Sequence, residues 1–299
     1  MSLTLDALLQ AGVHFGHQTR RWNPKMRRFI FAERNGIHII DLQKTVRQIE
    51  LAQKLVREAV LRGEQVLFVC TKRQLASIVR SEAERASAMY VTERWLGGLL
   101  TNFTTVKRQT RRLKELEAGI EAGGEFENYT KKEQLMFNRQ REKLEKNLSG
   151  IKNMTRLPGI LFVVDAKKER IAVTEANKLG IPIAAICDTN SDPDLITVPI
   201  AGNDDAIRSV ELITKLIADT IIEARREAPA RQEVAETESF VYSSDRGTEP
   251  AGDDERRRRR PRRRRRASPE AVAARLKAPG EAPAPAGGDG EPAAGGDGE

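Results

Sequence analysis

The stretch Val66-Leu67-Phe68-Val69-Cys70 decides the fold of this chain, because it is an unbroken apolar run that a helical pattern, Arg73–Ala86, follows at once. Runs that are apolar at every position are typical of parallel strands covered by helices on both faces. Further predicted strands are Met89–Val91, Ile160–Val164, Ile183–Cys187 and Leu195–Ile200, and further predicted helices are Glu169–Leu179 and Asp204–Arg226. This alternation predicts an α/β fold with an open, doubly wound, mainly parallel sheet and helices on both faces.

Upstream of this stretch, the pattern predicts a β-hairpin and a long helix. Phe29–Phe31 and Ile37–Ile40 flank Asn35-Gly36, a pair that readily adopts the positive φ angles of a tight hairpin turn. Asp41 then has the position of an N-cap for a helix that ends near Gly63.

Between Thr104 and Gly150 the alternation stops, and no strand pattern occurs. Val106–Glu117 and Lys131–Leu148 are rich in Lys, Arg, Glu, Gln and Leu, with apolar residues only at spaced positions. They predict an inserted antiparallel, coiled-coil-like helical hairpin joined by Gly123-Gly124-Glu125-Phe126. The expected domains are residues 1–103 with 151–228 for the sheet, 104–150 for the hairpin and 229–299 for a disordered charged tail.

The charge of the chain favours an anionic partner. Its 299 residues carry a formal net charge of +8, and the part before Val241 is basic without help from the tail. The tail holds two runs of five arginines around Pro261, among Pro, Gly, Ala, Asp and Glu residues that cannot build an apolar core. Such a block can bind RNA nonspecifically, it can act as a targeting signal in another cell type, or it is an appendage without a defined site.

Cysteine usage and hydropathy predict a cytoplasmic protein with no membrane segment. Cys70 and Cys187 each close an apolar run, as small buried hydrophobes do in a reducing compartment. No apolar run approaches the ~18 residues that span a bilayer, and the N-terminus lacks a basic segment followed by an apolar one.

An acidic cluster follows the predicted strand ends, where α/β sheets place their chemistry. Its members are Asp188, Asp192, Asp194, Asp204 and Asp205. Asx turns and helix capping explain these short acids better than catalysis does. Phosphate-binding loops, a nucleophile elbow and paired-cysteine metal motifs are all absent from the sequence, so we predict no catalytic residue and no cofactor.

Two histidines are weak metal candidates. His14 and His17 lie three residues apart and could share a metal with one of the aspartates, but a definite third ligand is missing. Packing or RNA contact explains them better. His38 lies within an apolar strand and is interpreted as a partly buried histidine with satisfied polar atoms.

Basic residues form the stronger candidate site, because lysine and arginine neutralise phosphates and an exposed tryptophan can stack on an unpaired base. One irregular basic stretch contains Arg20, Arg21, Trp22, Asn23, Lys25, Arg27 and Arg28. Lys72 and Arg73 lie at the mouth of the sheet beside a helix N-terminus, a natural place for an anion. The third group contains Arg94, Asn102, Lys107, Arg108, Arg111 and Arg112. For Trp22, anchoring of the loop to the core is an equally good interpretation, and a solvated helix face is the plain alternative for the last group.

The segment Arg94-Trp95-Leu96-Gly97-Gly98-Leu99-Leu100-Thr101-Asn102-Phe103 matches no catalytic template and points to recognition. With Ala11–His17, Trp22–Met26 and Gly202–Arg208, it closely resembles the bacterial small-subunit ribosomal protein S2 family over about three quarters of the chain. Two features depart from that resemblance. Ala201 stands where proline is frequent, and the tail beyond Phe240 exceeds the usual length.

The resemblance implies a sheet domain with a protruding helical hairpin, located between head and body of the small subunit. It also implies contact with small-subunit ribosomal RNA and proximity to other small-subunit proteins, including the messenger-binding ribosomal protein S1. We therefore expect a structural constituent of the small ribosomal subunit that supports translation.

Two other functions remain open at this point. One is a nonspecific nucleic-acid binder that works through the arginine-rich tail, in which case deletion beyond Phe240 abolishes binding. The other is a cytoplasmic α/β enzyme with a small acidic substrate, which the lack of a nucleophile, cofactor loop or metal set disfavours.

Overall fold

A computed structural model describes the backbone of residues 4–120 and 129–244, and side chains up to residue 228. The helices are α1 Leu5–Gln10, α2 Leu42–Leu61, α3 Arg73–Arg85, α4 Phe103–Ile120, α5 Lys131–Leu148, α6 Arg170–Leu179 and α7 Ile207–Ser244. The strands are β1 Phe15–Gln18, β2 Ile30–Arg34, β3 Ile37–Ile40, β4 Val66–Val69, β5 Met89–Val91, β6 Ile160–Val164, β7 Ile183–Cys187 and β8 Val198–Ala201. Short 3-10 turns at Thr19–Arg21 and Pro24–Phe29 connect β1 to β2.

The main sheet has the strand order β5-β4-β6-β7-β8, and all of its pairings are parallel. The chain enters at β4, adds β5 on one side and then crosses to β6 on the other, so the direction of winding reverses between β4 and β6. This confirms the predicted doubly wound α/β fold. The last strand starts later than the predicted Leu195, because Pro193–Leu195 form a 3-10 turn.

Each face of the main sheet has its own apolar core, as expected for strands that are buried throughout. Phe68 and Phe162, in register on β4 and β6, meet edge to face at 5.3 Å on the side of α2, α3 and α7. Leu67 and Val163 point to the other face, where residues of α4 and α6 cover them. Alternate side chains of each strand therefore pack into opposite layers.

A second, three-stranded antiparallel sheet has the order β1-β3-β2. The predicted hairpin is present, with Asn35 and Gly36 at φ angles of 54° and 73°. The sequence pattern predicts no strand before this hairpin, but Phe15–Gln18 form β1. A Cβ added at Gly16 would lie 2.6 Å from the Cγ2 atom of Thr189, so β1 fits only because glycine allows this close approach.

Both helices expected in the insertion are present, as α4 and α5, and they pack on each other. Leu113, Leu116 and Leu148 are buried at 0–1% exposure. Residues 121–128, which include the expected connection, lie outside the described residues. The hairpin connection and the domain boundaries therefore stay predictions.

The last helix starts at Ile207 rather than Asp204, since its first helical hydrogen bond runs from the backbone N–H of Val210 to the carbonyl of Ala206. The preceding N–H groups of Asp205 and Ala206 donate to the side chain of Asn203. It continues past Arg226 to Ser244. The arginine runs around Pro261 lie outside the described residues. Among the helices described, none is both long enough and apolar enough to cross a membrane.

Candidate nucleic-acid interface

The carboxyl ends of β4, β6 and β8 meet at one edge of the main sheet, and Lys72 lies at this point. Its Nζ atom is 2.8 Å from Asp165, 2.9 Å from Asp204 and 2.8 Å from Asp205. A lysine ammonium has three N–H donors, so these carboxylates can take all of them. Burial by itself lowers the pKa of Lys72, but the three carboxylates outweigh it and raise the pKa well above its usual value. The ammonium of Lys72 thus has no donor left for a phosphate.

The buried Glu169 completes this carboxylate crevice, which we define by Lys72, Asp165, Glu169, Asp204 and Asp205. Burial, followed by the charge of Asp165, raises the pKa of Asp204 to about 7. Glu169 accepts hydrogen bonds from the backbone N–H and the hydroxyl of Thr71, at 2.9 Å for the N–H, while burial raises its pKa.

The crevice lies at the reversal point between β4 and β6, where doubly wound sheets hold their ligands. Here the protein's own ion pairs fill that position. The arrangement therefore favours the structural interpretation of the acidic residues over an acid–base or substrate site.

His17 lies beside the crevice. Its Nδ1 atom is 2.9 Å from Asp188, and its Nε2 atom is 3.7 Å from Asp205. The hydrogen bond to Asp188 is the main cause that raises the pKa of His17. Ligand atoms of His17, Asp204 and Asp205 lie within 4.8 Å of one another, close enough to hold a metal ion. Such an ion would compete with the Lys72 ammonium for both aspartates.

His14 does not join this group among the described residues. Its ring packs on Phe15 at 4.1 Å, and burial lowers its pKa. The two weak metal candidates therefore have different environments, and the structure brings together His17 and carboxylates rather than His14 and His17.

The basic stretch divides into paired and unpaired residues. Lys25 lies 2.8 Å from Asp192 and 3.1 Å from Asp194, and the hydrogen bond to Asp192 is the largest cause that raises its pKa. Arg28 lies 3.4 Å from Asp194. In contrast, three exposed arginines make no side-chain hydrogen bond or ion pair to any described residue. These are Arg20, Arg21 and Arg27.

Trp22 and Asn23 hold the stretch against the protein. The half-buried indole of Trp22 lies 5.0 Å from the ring of His38, which supports the anchoring interpretation. The backbone N–H of Asn23 donates to the carbonyl of Thr189 at 2.7 Å, and its side chain accepts from the N–H of Lys25. These two residues position the neighbouring arginines.

The segment Arg94–Phe103 is fixed by a buried carboxylate. Glu175 accepts from the indole N–H of Trp95 at 3.1 Å and from the backbone N–H groups of Gly98, Leu100 and Thr101 at 2.8 to 3.2 Å. Burial disfavours the charged form, yet these four donors hold the pKa of Glu175 below its usual value.

This geometry corrects the expectation that the segment as a whole serves recognition. Trp95, Leu99 and Leu100 are core residues, exposed by 6% or less. Arg94 and Asn102 remain exposed at its ends. Sequence reasoning missed Glu175, although an acid among Ala172, Val173 and Ala176 on an apolar helix face was a usable signal.

Helix α4 has a buried face and a basic face. Val106, Leu113 and Leu116 pack inward. On the exposed side, Lys107 and Arg108 have no side-chain partner among the described residues, as is also true of Arg73 and Arg94. Arg111 and Arg112 share Glu115, at 3.3 and 3.5 Å.

Helix α5 adds cations that the sequence analysis did not single out. Arg139 and Lys143 are exposed and have no side-chain partner in the described part of the chain. They were missed because acids alternate with bases along this helix, which is the usual pattern of a solvated face.

A crevice filled by the protein's own ion pairs and unpaired cations on outer elements are features of a basic α/β binding protein. The family model of ribosomal protein S2 matches residues 8–224. The small ribosomal subunit protein uS2 of Syntrophobacter fumaroxidans is 55% identical over 238 residues, which cover 80% of this chain and 86% of that protein. The proteins of the same name from Acidothermus cellulolyticus and Geotalea uraniireducens are each 58% identical over 74% of this chain, and cover 80% and 86% of their own lengths.

This chain belongs to the ribosomal protein S2 family. It is a structural ribosomal protein and not an enzyme.

Proposed function

We propose that the chain is a structural constituent of the small ribosomal subunit and binds small-subunit ribosomal RNA, chiefly through phosphates. The observation that carries this proposal is the identity of 55–58% with three proteins named small ribosomal subunit protein uS2, over 74–80% of the chain. Neighbouring small-subunit proteins are the expected protein partners.

The unpaired cations supply the proposed RNA surface, because exposed Lys and Arg side chains gain affinity by releasing counterions from the phosphate backbone. Its members are Arg20, Arg21, Arg27, Arg73, Arg94, Lys107 and Arg108, with Arg111, Arg112 and Asn102 beside them. Lys25 contributes little, since Asp192 and Asp194 already hold its ammonium, whereas Arg28 shares Asp194 at 3.4 Å and keeps guanidinium donors for a phosphate. Lys72 is left out because its donors serve the crevice.

A protein-contact surface is proposed on the small sheet, with the messenger-binding protein S1 as its candidate partner in the cytoplasm. Phe15 is 50% exposed, Phe31 is 77% exposed and Ile37 is 37% exposed. These residues lie on β1, β2 and β3, and large apolar residues exposed together on one small sheet are typical of surfaces that bind another protein. The sequence resemblance to the family, rather than the geometry, supports the choice of S1.

The test is cosedimentation of the tagged full chain, and of a chain truncated after Ser244, with the small subunit through a high-salt gradient. We expect both to migrate with the subunit, because the family match ends at residue 224 and the proposed contacts precede it. A free truncated chain beside a bound full chain would assign binding to the arginine-rich tail. Failure of both chains to migrate with the subunit would refute the ribosomal role.

A further inference from the structure

A groove of about 720 Å³ lies between the outer face of α2 and the loop that leads into the edge strand β8. Its floor is apolar, with Phe29, Pro193 and Ile196 nearly buried. Leu51, on the rim, is 51% exposed. The groove is lined by Arg28, Phe29, Lys44, Arg47, Gln48, Leu51, Pro193, Asp194, Ile196, Thr197 and Pro199.

One face of α2 forms the cationic wall of this groove, which we call the Arg47 groove. Lys44, Arg47, Gln48 and Leu51 have the spacing i, i+3, i+4 and i+7, which places them on one side of the helix. The other side packs on the sheet, where the hydroxyl of Thr45 donates to the carbonyl of Ala201 at 2.7 Å. Packing of α2 on β8 therefore turns the cationic side outward.

The positive charge of the groove is only partly neutralised. Asp194 is the one carboxylate among its lining residues, and it is shared between Lys25 at 3.1 Å and Arg28 at 3.4 Å. Arg28 makes no other side-chain hydrogen bond in the described part of the chain, and Arg47 makes none. An arginine offers five N–H donors, so both guanidinium groups keep donors for an anion.

Lys44 links the two walls of the groove. Its ammonium donates to the carbonyl oxygen of Arg28 at 2.7 Å and lies 3.2 Å from Asp41. This contact ties the 3-10 turn Pro24–Phe29 to α2, and it keeps Arg28 near Arg47 across the groove.

We propose that the Arg47 groove holds a strand of ribosomal RNA, with phosphates on Arg47 and Arg28 and the sugar-base side against Leu51. This inference rests on the proposed function, and it adds Arg47 of α2 to the cations of the basic stretch and α4. RNA is favoured over an acidic protein segment because the proposed function already makes ribosomal RNA the partner of Arg27, which lies in the same 3-10 turn as Arg28 and is unpaired among the described residues. Planar guanidinium groups bind phosphate oxygens through two parallel hydrogen bonds.

The first experiment compares Arg47→Glu with Lys54→Glu in the full chain. Lys54 is an exposed residue two turns further along α2 and outside the groove. We would measure affinity for small-subunit particles depleted of this protein over a range of salt concentrations. Arg47→Glu should lower the affinity about tenfold and reduce the salt slope by about one, whereas Lys54→Glu should change neither.

The second experiment identifies the occupant. A hydroxyl-radical source would be attached to Arg47→Cys, and to Lys54→Cys as the control, since the native Cys70 and Cys187 are fully buried. Strand cleavage of ribosomal RNA centred on the Arg47→Cys site is expected. Loss of affinity without such cleavage would mean that a protein segment occupies the groove, and would overturn the proposal.

Equal affinities for Arg47→Glu, Lys54→Glu and the unmodified chain would also overturn the groove while leaving the ribosomal role intact. If the unmodified chain fails to bind the particles, the proposed function fails, and the groove proposal fails with it.

Discussion

The carboxylate crevice and the exposed face of α4 use the same kind of residue in opposite ways. In the crevice, Lys72 lies within 2.9 Å of three carboxylates, and its side chain is only 16% exposed. On α4, Lys107 and Arg108 are exposed and unpaired among the described residues. A cation in the first setting stabilises the fold, and one in the second is available to a partner.

The two settings differ because the fold brings acidic side chains close to Lys72 but not to the cations of α4. Parallel strands deliver the loops after β6 and β8 to the end of β4, so Lys72 meets Asp165, Asp204 and Asp205 together. A helix offers a cation only neighbours three or four residues away, and Arg108 has none of opposite charge at those positions. Folding therefore neutralises one site and leaves the other charged.

The largest expected effect is loss of stability on breaking the crevice. At pH 8, where Asp204 is ionised, Lys72→Ala should lower the free energy of unfolding by about 3 kcal/mol, because it leaves the buried Asp204 carboxylate without its partner. Urea denaturation of the full chain measures this. The control is Lys167→Ala, at an exposed lysine that has no side-chain partner among the described residues. If both variants unfold at the same urea concentration, the crevice is not the stabilising element that we describe.

The next effect is on binding through α4. Reversal of Arg108 and Arg111 to Glu should lower affinity for depleted small-subunit particles roughly 30-fold and reduce the salt slope by about two, with unfolding unchanged. The matched control reverses two exposed sheet-domain lysines, Lys54 and Lys178. If both double variants bind the depleted particles with equal affinity, α4 is not part of the RNA interface.

A smaller effect concerns pH. Burial raises the pKa of Asp204 to about 7, so the folded chain holds a proton that the unfolded chain releases near pH 4. The free energy of unfolding should therefore decrease, by an amount on the order of 1 kcal/mol, as pH rises from 5 to 8. The raised pKa of His17 acts with the same sign above pH 6.5. Asp204→Asn should flatten this slope in urea titrations, and a steeper or unchanged slope would contradict the assignment.

The smallest effect separates two neighbours in the basic stretch. Arg27→Ala should weaken particle binding about threefold, since its guanidinium is unpaired among the described residues. Lys25→Ala should leave binding unchanged, because Asp192 and Asp194 already hold this ammonium. The same affinity assay tests both variants. A greater loss of affinity for Lys25→Ala than for Arg27→Ala would contradict our division of the stretch into paired and unpaired cations.

The fold could be predicted because its signals are local. The apolar run at Val66–Cys70, the Asn35-Gly36 turn and the Asp41 cap each act through neighbouring residues, and all three have the predicted structure. The strand β1 was missed, because Phe15–Gln18 lacks an alternating apolar pattern and is held by its partner Ile39 and the close approach of Thr189.

The candidate site was only partly predictable. Residue type and charge marked Arg20, Arg21, Arg27, Lys107 and Arg108 as cations, and they are exposed. The amino-acid sequence alone thus determined the α/β class, the family and the supply of positive charge, since these depend on composition and short-range pattern.

Tertiary structure decided which charges remain available. It paired Lys72 with carboxylates 93 or more residues away, joined Glu175 to the Arg94–Phe103 segment, and set Arg47 across a groove from Arg28. The physical reason is that the free energy of a charge depends on every group within a few ångströms of it. Only the folded chain brings residues that are distant in sequence to that separation.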